Sequence, residues 1–215
     1  MKGNGDLIEY VRNLSSGYFP RNDPDSRVFL AMLEVDRKDF LPEEERDLAY
    51  FDQPVSLGHG QTCSQPSMVA LMLDELCIEP GNRVLEIGSG CGYAAAIASR
   101  LCGRAGQVLA CEILPELVAM MKANLAAGYD NIRIIAGDGS RGFPEWAPYD
   151  RIFLSAGVSS AHFDRGILLE QLGIPGILVY PEARGRLFRI VKERGKTSET
   201  SYGSVRFVPL VGANS

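Results

Sequence analysis

Histidine is scarce and the cysteines are not spaced in pairs. Only His59 and His162 occur in 215 residues, and Cys63, Cys77, Cys91, Cys102 and Cys111 are odd in number with no CxxC spacing. These two facts argue against a Cys/His zinc site, and no metal is expected. Most of the cysteines lie in apolar stretches and read as small, reduced core residues of a cytoplasmic protein. Clusters of lysine or arginine are lacking and the net charge is -5. A nucleic-acid partner is therefore not expected, because phosphate backbones are held by clustered cations. No apolar run approaches the roughly 20 residues that span a bilayer, so no membrane partner is expected. The start, Met1-Lys2-Gly3-Asn4-Gly5-Asp6, leads into no signal-peptide core. Repeats and low-complexity linkers are also missing, which leaves one domain as the expectation.

What is present is ordinary globular composition, 46% hydrophobic and 23% charged, enough to bury one core. Leu7, Ile8 and Val11 predict a short amphipathic helix. Val28, Ala31, Met32 and Val35 predict a second, opened by Asp23-Pro24. Residues 53–62 contain Gly58 and Gly60 and read as a loop. Ser64-Gln65-Pro66 reads as a helix start, with Ser64 as N-cap and Pro66 in the first turn. Val69, Met72, Leu73 and Leu76 form the buried stripe of that helix.

From Arg83 onward the pattern alternates. Strands are predicted at 84–87, 108–113, 132–136 and 151–154, with helices at 93–101, 115–127 and 163–172. Strands at 177–180, 187–192 and 205–211 follow with no room for long helices between them. The pattern is βαβαβ with a partly antiparallel ending: an α/β doubly wound sheet with an N-terminal helical addition.

Gly88-Ser89-Gly90-Cys91-Gly92 follows a strand and opens a helix. Glycines suit a tight turn where a ligand must approach the backbone, and the helix N-terminus offers free N–H groups. A dinucleotide fingerprint would place glycine where Tyr93 stands. Glu112 ends the second strand, where a carboxylate can accept both hydroxyls of a ribose. As a lone feature it also reads as a solvated strand-end carboxylate. Asp138, between Gly137 and Gly139, ends the third strand; it suits an adenine amine or a simple turn. Glu86 sits inside an apolar strand, where a carboxylate costs free energy unless it is hydrogen-bonded. It is read as bracing the glycine loop or reaching a cationic group.

These residues carry a resemblance. The chain resembles the protein-L-isoaspartate (D-aspartate) O-methyltransferases from about Val28 to Leu154, with a shorter match at the C-terminus. The stretches are Ala49-Tyr50-Phe51-Asp52-Gln53-Pro54, Gly58-His59-Gly60-Gln61-Thr62-Cys63-Ser64-Gln65-Pro66, Val84 to Tyr93, Gly137-Asp138-Gly139 with Pro148-Tyr149-Asp150, and Val205-Arg206-Phe207-Val208-Pro209-Leu210. The cofactor loop is shared by many methyltransferases; the Gly-Gln-Thr-x-Ser segment is far more specific.

The resemblance implies a Rossmann-like class I methyltransferase: a seven-stranded mixed sheet with helices on both faces, binding S-adenosyl-L-methionine. Residues 1–215 then form one domain. Residues 1–78 make a helical part with a substrate-facing segment, and 79–215 make the sheet and cofactor site. Cofactor contacts are implied for Gln61, Thr62, Cys63, Glu86, Gly88, Ser89, Gly90, Gly92, Glu112, Ile113, Asp138 and Gly139. Ser64 would be the catalytic residue, facing isoaspartyl peptides and proteins as substrates.

The chain departs from the family at Cys63, usually aliphatic, at Ser155-Ala156-Gly157-Val158, at Gly173-Ile174-Pro175-Gly176 and at Pro181-Glu182-Ala183. The last three loops are expected near the open face where a peptide enters. They keep open a methyltransferase of another carboxylate or small molecule. The glycine loop is also compatible with a non-catalytic S-adenosylmethionine-binding protein and with a nicotinamide-dependent oxidoreductase; Tyr93 argues against the oxidoreductase.

Overall fold

The structure is a computed structural model that describes residues 2–18, 26–159 and 163–212. The first helix, α1 (Asn4–Tyr18), buries Leu7, Ile8 and Val11 as their spacing requires. The second, α2 (Arg27–Glu34), buries Val28, Ala31 and Met32. Its N-cap is Ser26, whose hydroxyl accepts from the Val28 N–H; Asp23-Pro24, the expected opening, lie outside the described residues. Two 3₁₀ turns, Arg37–Phe40 and Glu43–Leu48, lead to the segment expected to be a loop.

That segment is instead a hairpin. Strands β1 (Val55–Gly58) and β2 (Gln61–Cys63) pair antiparallel, and the glycines make the turn between them. Val55 and Leu57 are buried while Ser56 is exposed, a period-2 pattern too short to stand out beside Gly58 and Gly60. Helix α3 (Pro66–Leu76) follows with Gln65, not Ser64, as its N-cap. The cap is supplied from a distance: Asp52 Oδ1 accepts from the Ser67 N–H at 2.8 Å, and Asp52 Oδ2 accepts from Gln65 Nε2 at 3.0 Å.

The main sheet is built from β3 (Arg83–Ile87), β4 (Gln107–Glu112), β5 (Ile132–Ala136), β6 (Tyr149–Leu154), β7 (Leu172–Pro181), β8 (Arg184–Glu193) and β9 (Lys196–Arg206). Their spatial order is β5-β4-β3-β6-β7-β8-β9. The first five are parallel, linked through α4 (Tyr93–Cys102), α5 (Pro115–Asn124) and α6 (Arg165–Gln171); β8 and β9 turn back as antiparallel hairpins. Successive residues feed opposite faces. Val84, Val108 and Phe153 join a core with α1 to α5, while Leu85, Leu109 and Ile152 join one with α6.

The last strand lies earlier than the sequence suggests. β9 is polar and largely exposed because it is an edge strand, so it lacks the apolar run of a buried strand. The apolar stretch 207–211 leaves the sheet and returns to Gly157. The Gly157 N–H donates to Val208 O at 2.8 Å, and the Leu210 N–H donates to Gly157 O at 2.7 Å. This return carries the C-terminal tail across the carboxyl ends of the strands, beside β3, where the strand order reverses.

Candidate active site

The loop after β3 folds against the end of β4. The Gly88 and Ser89 N–H groups both donate to Cys111 O at 2.9 Å. Gly92 opens α4 with φ near 87°, and a Cβ there would lie 3.0 Å from Leu125 Cδ1 and Met121 Cγ. A side chain at this position would meet both a disfavoured backbone region and a filled space.

Glu112 is buried and tied to that loop. Its Oε2 accepts from the Gly90 N–H at 2.9 Å, and its Oε1 accepts from the N–H groups of Ile113 and Leu114 at 2.8 and 2.9 Å. Three backbone donors fix the carboxylate and leave lone-pair capacity on Oε2. It borders an open cleft lined also by Gln61, Thr62, Gly88, Ile113, Gly137 and Gly139. The tail residues Val208, Pro209, Leu210 and Val211 form another wall, as do Leu114 and Ala156. Sequence reasoning missed the tail because it read those residues as a strand.

Asp138 lies beside the cleft rather than along its lining. Its Oδ1 accepts from the Ser140 N–H at 2.8 Å, and Gly212 packs so closely that a Cβ there would lie 2.5 Å from the same oxygen. Its glycine neighbours form the cleft wall.

A second pocket shares Thr62, Gly88, Gly90 and Ser155 with the first. It gathers Cys63, Ser64, Glu86, Ser89, Cys91 and Tyr93. Glu86 is fully buried, and its Oε1 accepts from the Ser155 hydroxyl at 2.6 Å. Burial pushes its carboxyl up to about 7; the Ser155 hydroxyl opposes this, and the charge of Glu112 adds to it. Among the described residues, Glu86 Oε2, Ser89 Oγ and Tyr93 OH are buried with no well-aligned hydrogen bond, although Ser89 lies close enough to Glu86 to oppose the rise of its carboxyl. Such atoms cost about 1–3 kcal/mol each, so three in one pocket mark a place built for a polar ligand group. An acceptor carboxylate beside two hydroxyls fits an amino-acid end, with Glu112 one loop away for a diol. That donor set fits S-adenosylmethionine.

The Cys63 thiol is held below its ordinary value, first by a hydrogen bond from Cys91 and then by the Arg37 guanidinium, against the effect of burial. The Cys91 thiol is raised, first by Cys63 and also by burial. Arg37 itself had no signal in the sequence, where it sits in a polar stretch and reads as surface. It is fully buried. Its Nη1 donates to the carbonyls of Ala49 and Phe51 at 3.2 and 3.1 Å. Its Nη2 donates to those of Gln53, Cys63 and Ser64 at 2.9, 3.3 and 3.1 Å. One cation thus stitches residues 49–53 to the end of β2.

Ser64 is half-buried and relieved of capping by Asp52. It lies where the second pocket meets an open groove lined by Pro54, Gln65, Met68, Arg184, Arg206 and Phe207. Thr62 borders both pockets and the groove. His59 is exposed in the hairpin turn.

The family model for Protein-L-isoaspartate(D-aspartate) O-methyltransferase matches residues 6–215. The chain belongs to this methyltransferase family. Protein-L-isoaspartate O-methyltransferase 1 of Archaeoglobus fulgidus is 46% identical over 188 residues, 86% of each chain. The Methanopyrus kandleri protein-L-isoaspartate O-methyltransferase is 41% identical over 212 residues, covering 96% of this chain and 90% of its own. Among solved structures, a Plasmodium falciparum protein, described as a putative protein-L-isoaspartate O-methyltransferase in complex with S-adenosyl-L-homocysteine, superposes with a TM-score of 0.84. It is 26% identical and covers 98% of this chain and 99% of that one. The fold is therefore the class I methyltransferase fold, the cofactor is S-adenosylmethionine, and the oxidoreductase reading falls. Among the described residues, no helix is long and apolar enough to cross a membrane.

The divergent loops lie differently from expectation. Ser155 lines both pockets and Ala156 the first, and Ser155 holds Glu86. Gly173 to Gly176 start β7, at the end of the sheet away from the cleft. Of the three, only 181–183 reaches the groove, through Ala183.

Proposed function

We infer that this chain transfers the methyl group of S-adenosylmethionine to the carboxylate of L-isoaspartyl residues in damaged proteins, initiating their repair. D-aspartyl residues, named in the family description, are the second substrate. The observation that carries the reading is Ser64: in a chain of this family, its hydroxyl is spared from helix capping and stands between the pocket that holds Glu86 and an open groove. Residues 1–215 act as one unit, and its setting is cytoplasmic, in keeping with five free cysteines.

The chemistry asks little proton work of the chain. An unperturbed carboxyl with a pKa near 4 is already ionised at neutral pH, so no general base is needed. When bound, S-adenosylmethionine supplies an electrophilic sulfonium methyl. Ser64 donates a hydrogen bond to the carboxylate oxygen that does not react and so fixes the one that does. Orientation of this kind contributes up to roughly 7–11 kcal/mol at the well-aligned limit. Glu86 would accept from the cofactor's ammonium with Ser89 as a further polar partner, and Glu112 would accept from the ribose hydroxyls. Gln61, Thr62, Cys63, Gly88, Gly90, Gly92, Ile113 and Gly139 form walls that exclude water from the reacting groups. Asp138, packed against Gly212, would help position the tail beside the adenine. A methyl ester is a better acyl electrophile than a carboxylate, so the nitrogen of the neighbouring backbone amide can attack its carbonyl, methanol leaves, and hydrolysis of the resulting cyclic imide opens a route back to a normal linkage.

A peptide containing isoaspartate and its aspartyl twin test the reading. The isoaspartyl form is methylated and the twin is not; equal rates would contradict it.

A further inference from the structure

The groove beside Ser64 carries a charge pattern that cofactor binding does not explain. Arg184 opens β8 and Arg206 closes β9, and the two are direct cross-strand partners. Both are exposed and both line the groove. Like charges placed opposite each other on an antiparallel pair are destabilising. Neither side chain has an ion pair among the described residues. The nearest carboxylate in sequence, Glu182, is engaged by the Arg186 backbone N–H at 3.0 Å. Around the pair the groove is apolar or neutral, with Met68, Val205, Phe207 and Pro209. Two cations therefore converge on the substrate entrance of a chain whose net charge is -5.

We propose that Arg184 and Arg206 form a carboxylate-recognition subsite at the mouth of the Ser64 groove, selecting isoaspartyl segments that carry an aspartate or glutamate beside the isoaspartyl residue. The occupant is an acidic stretch of polypeptide, and charge complementarity is the argument. Guanidinium forks suit carboxylates geometrically. A folded acidic protein would otherwise repel acidic substrates, and the arginine pair reverses that field locally. The proposal rests on the isoaspartyl reading above and adds the sequence context that the site prefers.

The test compares kcat/KM for three isoaspartyl peptides that differ only in the flanking residues: acidic, neutral and basic. The wild-type protein prefers the acidic peptide over the neutral one by about tenfold, the scale of two exposed ion pairs, and the basic peptide ranks last. The preference shrinks at high ionic strength. In Arg184→Gln/Arg206→Gln the acidic-to-neutral ratio falls to near one, and the melting temperature does not drop, because an opposed like-charge pair has been removed. In Arg184→Glu/Arg206→Glu the order reverses in favour of the basic peptide, which a merely structural role would not produce. Equal kcat/KM for all three peptides in the wild type overturns the subsite alone, as does an unchanged ratio in the glutamine variant. Failure of every isoaspartyl peptide to be methylated overturns the underlying activity and the subsite with it.

Discussion

At the scale of single residues, the polar groups that the fold conceals have separable jobs. Glu86 binds its proton more tightly in the folded chain, near 7, than the ordinary 4.5. Below about 4.5 it is protonated in both states. As pH rises from about 4.5 to 7 the unfolded chain releases the proton first, so folding stability falls, by roughly 3 kcal/mol once pH exceeds 7. Urea unfolding of wild type and Glu86→Gln at pH 5 and pH 8 checks this: the glutamine variant gains on wild type by about that amount at the higher pH. Cofactor binding should have the opposite slope. The proposed placement of the cofactor's ammonium beside Glu86 would favour the ionised form, so affinity for S-adenosylhomocysteine should rise towards pH 7 and binding at pH 6 should release a proton. Ser64→Ala lowers kcat by about 10²-fold, the scale of one lost oriented donor. Its melting temperature and cofactor affinity stay close to wild type, because Ser64 caps no helix. Equal rates in mutant and wild type would remove Ser64 from the mechanism.

At the scale of elements, the capping of α3 separates structure from chemistry. Asp52→Ala removes the acceptor of the Ser67 N–H. It should cost about 1 kcal/mol and about 2–4 °C in a thermal melt, whereas Ser64→Ala should cost neither. The same helix start explains a misreading of the sequence. Ser64-Gln65-Pro66 satisfies a local capping rule, but Asp52, brought in by the fold, takes the role. Strands β3, β4 and β6 were legible because they lie inside the sheet and are written as apolar runs, and β5, at the edge opposite β9, still carries the mostly apolar run Ile132-Arg133-Ile134-Ile135-Ala136. β9 was not, because an edge strand made of Lys196-Thr197-Ser198-Glu199-Thr200 has no apolar face to report. The β1–β2 hairpin was hidden by its own turn glycines. In the site, Glu112 and the glycine loop were readable from their places at strand ends, while Arg37 was not. Nothing local distinguishes a buried arginine whose five acceptors come from residues 49–53 and 63–64.

At the scale of the whole molecule, the C-terminal tail joins the last hairpin to the cleft beside Glu112. It is anchored on Gly157 and packs Gly212 against Asp138. A chain ending at Phe207 keeps β9 and the buried Phe207 but removes four residues of the cleft wall. Its affinity for S-adenosylhomocysteine should fall at least about tenfold, equivalent to burying one fewer aliphatic side chain, as read by calorimetric titration. An unchanged affinity would show that the tail is not part of the cofactor site. The site thus draws on the N-terminal segment through Arg37 and Ser64, on the parallel strands through Glu86 and Glu112, and on the tail. The most direct measurement of the central claim is mass spectrometry of an isoaspartyl peptide and its aspartyl twin after incubation with the protein and methyl-labelled S-adenosylmethionine. The account predicts one labelled methyl ester on the isoaspartyl carboxylate, lost as methanol when the neighbouring amide closes, and an unmodified twin. Label on both peptides, on another side chain, or on neither would contradict it.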